Sequence, residues 1–243
     1  MCTSVVTISI VVPVKDEARN VVSLAREIVL ATAGEDAEII FVDDGSVDGT
    51  AKQLRLLKQE IPALRVLSHN RNLGQSRGVR TGVLAATADV IVTLDGDGQN
   101  DPADIPRLVA ALRSGNPNLL GMVAGIRTRR RDASNRRLAS DIANRFRQWI
   151  LKDRATDSGC GLKVFRREVY LSLPYFDHMH RFLIALVLRE GYEVREIAVN
   201  HRPRLHGRSK YGNFHRALVG LVDTFGVRWL QARFGGRADI TEL

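Results

Sequence analysis

Among its 243 residues this chain has only two cysteines, Cys2 and Cys160, far apart and outside any CxxC or Cys/His cluster. That scarcity argues against a disulfide framework and a structural zinc site, and it suits a reducing compartment. Long apolar runs are also missing. The two longest, Val83 to Leu94 and Leu218 to Val227, each contain an aspartate and fall well short of the roughly 20 residues that cross a bilayer. No basic n-region or small-residue cleavage site surrounds the strand-like Thr7 to Val12, so no signal peptide is expected. No GxGxxG follows that first strand, which disfavours a dinucleotide oxidoreductase. The six histidines make no ligand-spaced cluster; His178, His180 and His201 read as structural or surface residues, while His206 lies within a basic loop. Internal repeats and low-complexity linkers are absent too, which favours one continuous domain.

What is present is an ordinary globular composition, 44% hydrophobic and 26% charged with 6% aromatic, carrying a net charge of +9. The excess is local. Between Arg127 and Arg154 ten basic residues face three acidic ones, so this segment alone contributes +7. An anionic partner is implied, and nucleic acid, phospholipid and nucleotide all satisfy the count.

The first half alternates short β-branched runs with helical patterns, the signal for βα units around a mostly parallel sheet. Strands are expected at Ile8 to Val12, Ile39 to Val42, Arg65 to Ser68 and Val90 to Leu94, with helices near 20–32, 49–60 and 75–86. Pro102 marks another helix start, and Leu119 to Ile126 reads as a return to the sheet. Further on come a strand-like Gly161 to Phe165, a helix near Met179 to Arg189 and a strand near Val194 to Val199. Lys163 and Arg166 read as strand-edge charges.

Two acidic clusters fall at strand ends, Asp43-Asp44-Gly45-Ser46 and Asp95-Gly96-Asp97-Gly98-Gln99. Open α/β sheets bind ligands at such ends. Either cluster alone is as easily an ordinary loop; the pair, in this order and spacing, is more specific. Two acidic groups repel a free phosphate, and a divalent cation resolves the conflict. Hard oxygen ligands from Asp95, Asp97 and Gln99 suit Mg²⁺ or Mn²⁺, which can hold a diphosphate.

From Ile8 to Gly212 the sequence resembles the family 2 glycosyltransferases of the GT-A fold, and within them the polyprenyl-phosphate glycosyltransferases. The resemblance rests on Val12-Pro13-Val14-Lys15-Asp16-Glu17, Val42-Asp43-Asp44-Gly45-Ser46, Asn72-Leu73-Gly74 and the Asp95 to Gln99 run. It continues in Arg137-Leu138-Ala139-Ser140, Asp157-Ser158-Gly159-Cys160-Gly161 and Arg204-Leu205-His206-Gly207-Arg208-Ser209-Lys210. It implies a Rossmann-like, mostly parallel sheet flanked by helices, with amphipathic interface helices in the second half. Pro13, Glu17, Asp43 and Asp44 would then contact the donor nucleotide, and Asp95, Asp97 and Gln99 the metal on its diphosphate. Arg127, Arg137, Ser140 and Arg204 would receive the acceptor phosphate, with Lys210 assisting at either phosphate. Asp97, Asp157 and Arg137 are the implied catalytic group, Asp157 standing near the reacting sugar. Two positions depart from the family pattern: Asp16 replaces a common Asn beside the base pocket, and Gly98 and Asn100 flank Gln99.

A phosphate monoester has a second pKa near 6 and needs no general base at neutral pH, unlike an alcohol. Gln-x-x-Arg-Trp, a signature of processive polysaccharide synthases, is missing, since Phe225 stands where Gln would precede Arg228-Trp229. The reading is therefore an inverting, metal-dependent transfer of one sugar, from GDP-mannose or a UDP-hexose or uronate, to a polyprenyl phosphate. A hydroxyl acceptor on a glycan or lipid is the alternative. No nucleic-acid partner is expected, because the aspartate clusters would repel a polynucleotide unless metal-bound.

A helix over Arg137 to Lys152 would align Leu138, Ile142, Phe146, Trp149 and Ile150 on one stripe, with Arg147 opposite and Arg145 and Lys152 flanking. Phe214, Leu218, Leu221, Val222, Phe225 and Trp229 make a second stripe. Both suit either core packing or an anionic membrane surface. The domain is expected over 1–212 with an amphipathic segment, free of transmembrane helix, over 213–243. The protein would be cytoplasmic and peripheral on the inner face of the membrane.

Overall fold

The computed structural model describes residues 6–127, 145–153, 155–204 and 213–236. Seven strands form one sheet in the order β3-β2-β1-β4-β6-β5-β7. They are β1 (Ile8–Val14), β2 (Ala37–Asp43), β3 (Leu64–Ser68), β4 (Val90–Thr93), β5 (Leu120–Arg127), β6 (Lys163–Arg166) and β7 (Glu193–Val199). All neighbours are parallel except β6, which runs antiparallel to both β4 and β5. Helices α1 (Val21–Ala31), α2 (Thr50–Glu60), α3 (Gln75–Ala85) and α4 (Ile105–Arg113) connect the first five strands. A helix described over 145–151, α5, precedes β6. After it come α6 (Arg167–Ser172), α7 (Leu183–Arg189) and α8 (Asn213–Ala232), with short 3₁₀ turns at Pro102–Asp104 and Met179–Arg181.

β1 is buried along its whole length, as expected of a central strand covered on both faces. The period of two sorts its residues. Ile8, Ile10 and Val12 share one core layer with α1 and α4 through Leu24, Ile28 and Leu108. Val11 faces the other layer, with Val79 and Val83 of α3 and Leu183 and Leu186 of α7. α6 was not expected from the sequence: Arg167 to Ser172 is too short to develop a helical stripe, and only packing through buried Val169 and Tyr170 identifies it. The mostly parallel α/β sheet expected from the sequence is present, with flanking helices on both sides.

Two features of this topology place the site. The chain leaves β1 toward β2 on one side and reaches β4 on the other, so the crevice at the C-terminal ends of β1 and β4 is a topological switch point. Because β6 is antiparallel, its first residue pairs with the last of β4, Thr93↔Lys163. The loop entering β6 is thereby brought to the same end of the sheet.

On α5, Ile150 and Leu151 are buried while Phe146 and Trp149 are exposed, so the expected stripe is split between core and solvent. Arg147 corrects the sequence reading outright. It is buried, not on a solvated face, and pairs with the carboxylate of Asp153, whose side chain is fully enclosed. On α8, Thr224 and Val227 pack inward, and Leu221, Val222, Phe225 and Trp229 lie outward. The end of α8 is tied to α5 by the Gln231 side-chain amide, which donates to the Leu151 carbonyl at 3.0 Å. No helix among the described residues is long and apolar enough to cross a membrane.

Candidate active site

A cavity of about 500 Å³ opens at the switch point. Its first wall is built from the ends of β1 and β2. The Asp44 amide donates to the Val14 carbonyl at 2.8 Å, continuing the ladder beyond β2. The following turn is then stitched to the loop after β1. The Asp16 amide donates to Ser46 Oγ at 2.8 Å, the Val47 amide to Asp16 Oδ1 at 2.8 Å, and Lys15 Nζ to the Gly45 carbonyl at 2.6 Å. Gly45 has φ +66, and a Cβ there would lie 2.6 Å from the Arg71 backbone carbon, so a side chain is excluded by conformation and by space. Asp16, the departure from the family pattern, belongs to this stitching: it pairs with Lys15 at 3.4 Å and does not line the cavity.

The neighbouring aspartates of the first cluster divide their work. Asp43 is buried and accepts from the Ser46 amide at 3.0 Å, which holds the turn; its side chain is not part of the cavity wall. Asp44 lines the cavity, and its carboxylate accepts from the amides of Leu73 and Gly74, both at 2.8 Å, and contacts His69 Nδ1 at 2.7 Å. The Asn72-Leu73-Gly74 motif is thus the loop that Asp44 fastens. Pro13 and Glu17 complete this end.

The second cluster faces it. Asp95 accepts from Gln75 Nε2 at 2.7 Å and Asp97 accepts from the Gln99 amide at 3.1 Å. Burial, reinforced by the charge of Asp97, pushes the Asp95 carboxyl up to about 6. By surface area Asp95 is half-buried, but what remains open faces the cavity and its protein walls. Gly161 leaves room for this carboxylate, since a Cβ on it would stand 2.3 Å from Asp95. Two carboxylates crowded into one cavity wall form a donor set of hard oxygens that a divalent cation would relieve. Asp97 also forms an ion pair with Arg204, which lines the same cavity. Gln99 does not: its side-chain amide points to the Arg202 carbonyl at 3.4 Å and lies 3.5 Å from His201 Nε2. What Gln99 offers the cluster is its backbone N–H.

Asp157 and Arg127 stand apart from the cavity wall and are bound to each other. The Arg127 guanidinium donates from Nε at 2.6 Å and Nη2 at 2.7 Å to the two carboxylate oxygens, a bidentate fork. The cavity floor comes instead from Ser158 to Gly161, which follow Asp157. Arg137, Ser140 and Lys210, together with His206, lie outside the described residues.

Three basic residues were missed in the sequence. Lys163 is no strand-edge charge: it starts β6 in mid-sheet, is buried, donates from Nζ to the Cys160 carbonyl and lines the cavity. Burial draws its ammonium below the usual range. His180 and Arg181, from the 3₁₀ turn Met179–Arg181, also line the cavity, which corrects the structural or surface reading of His180. A three-residue turn carries no periodicity, so nothing in the sequence marked them. Lys163 had a signal in hindsight, a lysine inside the run Leu162 to Phe165.

The description "Glycosyl transferase family 2" matches residues 9–173 of the chain. The chain is 36% identical over 236 residues to dodecaprenyl-phosphate galacturonate synthase of Rhizobium johnstonii, covering 94% of this chain and 69% of that protein. It belongs to glycosyl transferase family 2. The undecaprenyl-phosphate 4-deoxy-4-formamido-L-arabinose transferase of Edwardsiella ictaluri is 35% identical over 209 residues, covering 84% of this chain and 63% of the relative. This family 2 glycosyltransferase therefore spans about two thirds of the length of these relatives. Solved structures confirm the GT-A fold. Mannosyl-3-phosphoglycerate synthase from Rubrobacter xylanophilus superposes with a TM-score of 0.73 at 18% identity, covering 96% of this chain and 77% of that one. A mannosyltransferase from Pyrobaculum calidifontis, solved with GDP-Man and Mn²⁺, gives 0.66 at 18% identity, covering 98% and 67%.

Proposed function

We propose that this family 2 glycosyltransferase transfers one sugar, with inversion, from a nucleoside-diphosphate sugar to a polyprenyl phosphate on the inner face of the membrane. The observation that carries the reading is the single cavity walled on one side by Asp44, Pro13 and Glu17 and on the other by Asp95 and Asp97. Its first wall suits a nucleoside. Its second suits a divalent cation, Mg²⁺ or Mn²⁺, which when bound would offset the charge of the departing diphosphate. The names of the two relatives support a polyprenyl-phosphate acceptor.

In the reaction, an acceptor phosphate oxygen forms a bond to the anomeric carbon as the bond from that carbon to the diphosphate breaks, and the nucleoside diphosphate departs. The acceptor is largely a dianion near pH 7, so no proton has to be removed. Arg204 stands where it can hold an anion beside Asp97. Asp157 keeps the Arg127 guanidinium in one orientation, and its part is positioning; Arg137 and Ser140 complete the proposed acceptor group.

The membrane surface is the outward stripe of α8 with the aromatic pair of α5. Trp149 is 76% exposed and Trp229 is 59% exposed, too much for core residues and suited to a headgroup region. Arg145, Lys152, Arg228 and Arg233 flank them in sequence and match anionic lipid.

The test is incubation of labelled UDP- and GDP-sugars with undecaprenyl phosphate or with a sugar alcohol, each with Mn²⁺ and with EDTA. Lipid-linked sugar formed only with the phosphate acceptor and metal is expected. Product on the alcohol alone would overturn the acceptor assignment, and undiminished product in EDTA would overturn the metal.

A further inference from the structure

Asp44 stands in the nucleoside wall, and its carboxylate is almost enclosed, the side chain being 5% exposed. Three donors meet it from the protein itself. The Leu73 amide and His69 Nδ1 reach Oδ1 at 2.8 and 2.7 Å, and the Gly74 amide reaches Oδ2 at 2.8 Å. The two amides belong to one loop. His69 comes instead from the end of β3, where its own amide donates to the Asp43 carbonyl at 2.8 Å. The far side of its ring, Nε2, lies 2.9 Å from Thr81 Oγ1 of α3. Neither His69 nor Thr81 lines the cavity.

The polarity of this chain of hydrogen bonds follows from the partner at its head. A carboxylate only accepts, so Nδ1 carries a proton toward Asp44. In the neutral ring Nε2 then accepts from the Thr81 hydroxyl; in the imidazolium it donates to the same oxygen, since a hydroxyl does both. Thr81 thus holds the ring in place without dictating its charge, and His69 is a donor to Asp44 in either state. The helix that supplies Thr81 also reaches the rest of the site. In its first turn Gln75 donates to Asp95 at 2.7 Å and Ser76 Oγ lies 2.7 Å from His180 Nδ1. Asp44 and Asp95, acids of opposite walls, are therefore both braced on α3.

We infer that His69, braced by Thr81, is a positioning residue for donor binding, acting through Asp44. The inference rests on the donor reading above and extends it to two residues outside the cavity. A carboxylate has about four acceptor sites, and His69 with the two amides fills three of them. Asp44 is thereby fixed in one orientation with room for a single N–H or O–H of the nucleoside. Without His69 the enclosed carboxylate loses a donor on Oδ1, and burial makes an unmet acceptor costly. Its orientation is then left to two adjacent amides of one loop, and the nucleoside meets an acid that is no longer held from the side of β3.

Calorimetric titration of the unaltered protein with UDP and with GDP, each with Mn²⁺, identifies the nucleotide that binds, and that nucleotide is the probe for the variants. His69→Phe keeps a ring but no donor and should weaken binding about tenfold. His69→Asn, whose side-chain amide can donate where Nδ1 did, should recover binding to within about threefold of the unaltered protein. Thr81→Val removes only the hydroxyl and should weaken binding about threefold. Melting temperature is recorded for each variant. Unchanged affinity in His69→Phe, with or without a lower melting temperature, would overturn the inference and make His69 a structural residue only. Binding by His69→Asn as weak as that of His69→Phe would also overturn it, assigning the loss to ring packing. Full affinity in Thr81→Val would overturn the brace. If His69→Phe does not fold, Thr81→Val decides by the same measure. In all of these failures the unaltered protein still binds its nucleotide and the donor reading stands; binding of neither nucleotide would overturn that reading and the inference together.

Discussion

Asp95 meets two opposed demands, since enclosure in the cavity wall favours its neutral form while cation binding needs it ionised. With its pKa pushed up to about 6, against about 3.9 in an unfolded chain, the folded protein binds more protons than the unfolded one between those values. The Asp95 contribution to the stability of the metal-free protein therefore falls as pH rises from about 4 to 6 and is level above that. Asp95→Asn should abolish this slope and unfold at higher denaturant than the unaltered protein at pH 7 in EDTA. The same variant should lose the Mn²⁺-dependent rise in melting temperature. Denaturant unfolding at pH 4, 5, 6 and 7 provides the check; a slope that survives in Asp95→Asn would assign it to another group. The aspartate clusters were visible in the sequence because strand, turn and acid are contiguous there. The division of labour between Asp43 and Asp44 was not, because it depends on which carboxylate meets the amides of Leu73 and Gly74, some thirty residues away.

Among the elements, α5 shows how a helical stripe can mislead. The periodicity of Phe146, Trp149 and Ile150 suggested one apolar face with Arg147 turned to solvent, yet Arg147 is buried against Asp153 and Trp149 is out. A buried pair that loses one member leaves a charge uncompensated, at about 3 kcal/mol or more. Asp153→Ala should therefore cost roughly 3 kcal/mol in denaturant unfolding. Glu60→Ala, which breaks the exposed pair with Arg26 at 3.1 Å, should cost under about 1 kcal/mol. Equal costs would mean that the Arg147 pair is hydrated in solution. The strands of the first half were legible almost to the residue, since β-branched runs between turn signals leave little choice. β6 was legible as a strand but not as an antiparallel one, and that orientation is what carries Lys163 to the cavity.

For the whole molecule, the net charge of +9 and the exposed aromatic residues of α5 and α8 describe one proposed docking face. Sedimentation with vesicles rich in anionic lipid should carry the protein down at low salt and release much of it at high salt, as screening weakens the basic contribution. The double variant Trp149→Ala, Trp229→Ala should reduce binding severalfold at either salt concentration while leaving nucleotide binding unchanged. Vesicle binding equal to that of the unaltered protein would remove these helices from the membrane contact.

Sequence by itself determined the α/β class, the strand-end aspartates, the family resemblance and the location of excess charge, because each of these is written in contiguous residues or in their period. Tertiary structure alone decided that Asp157 holds Arg127, that Gln99 turns its side chain away, and that Lys163, His180 and Arg181 share a cavity with Asp95. Those facts depend on which loops the sheet order brings together. The antiparallel β6 and the Ser76–His180 contact span chain separations that no local pattern encodes.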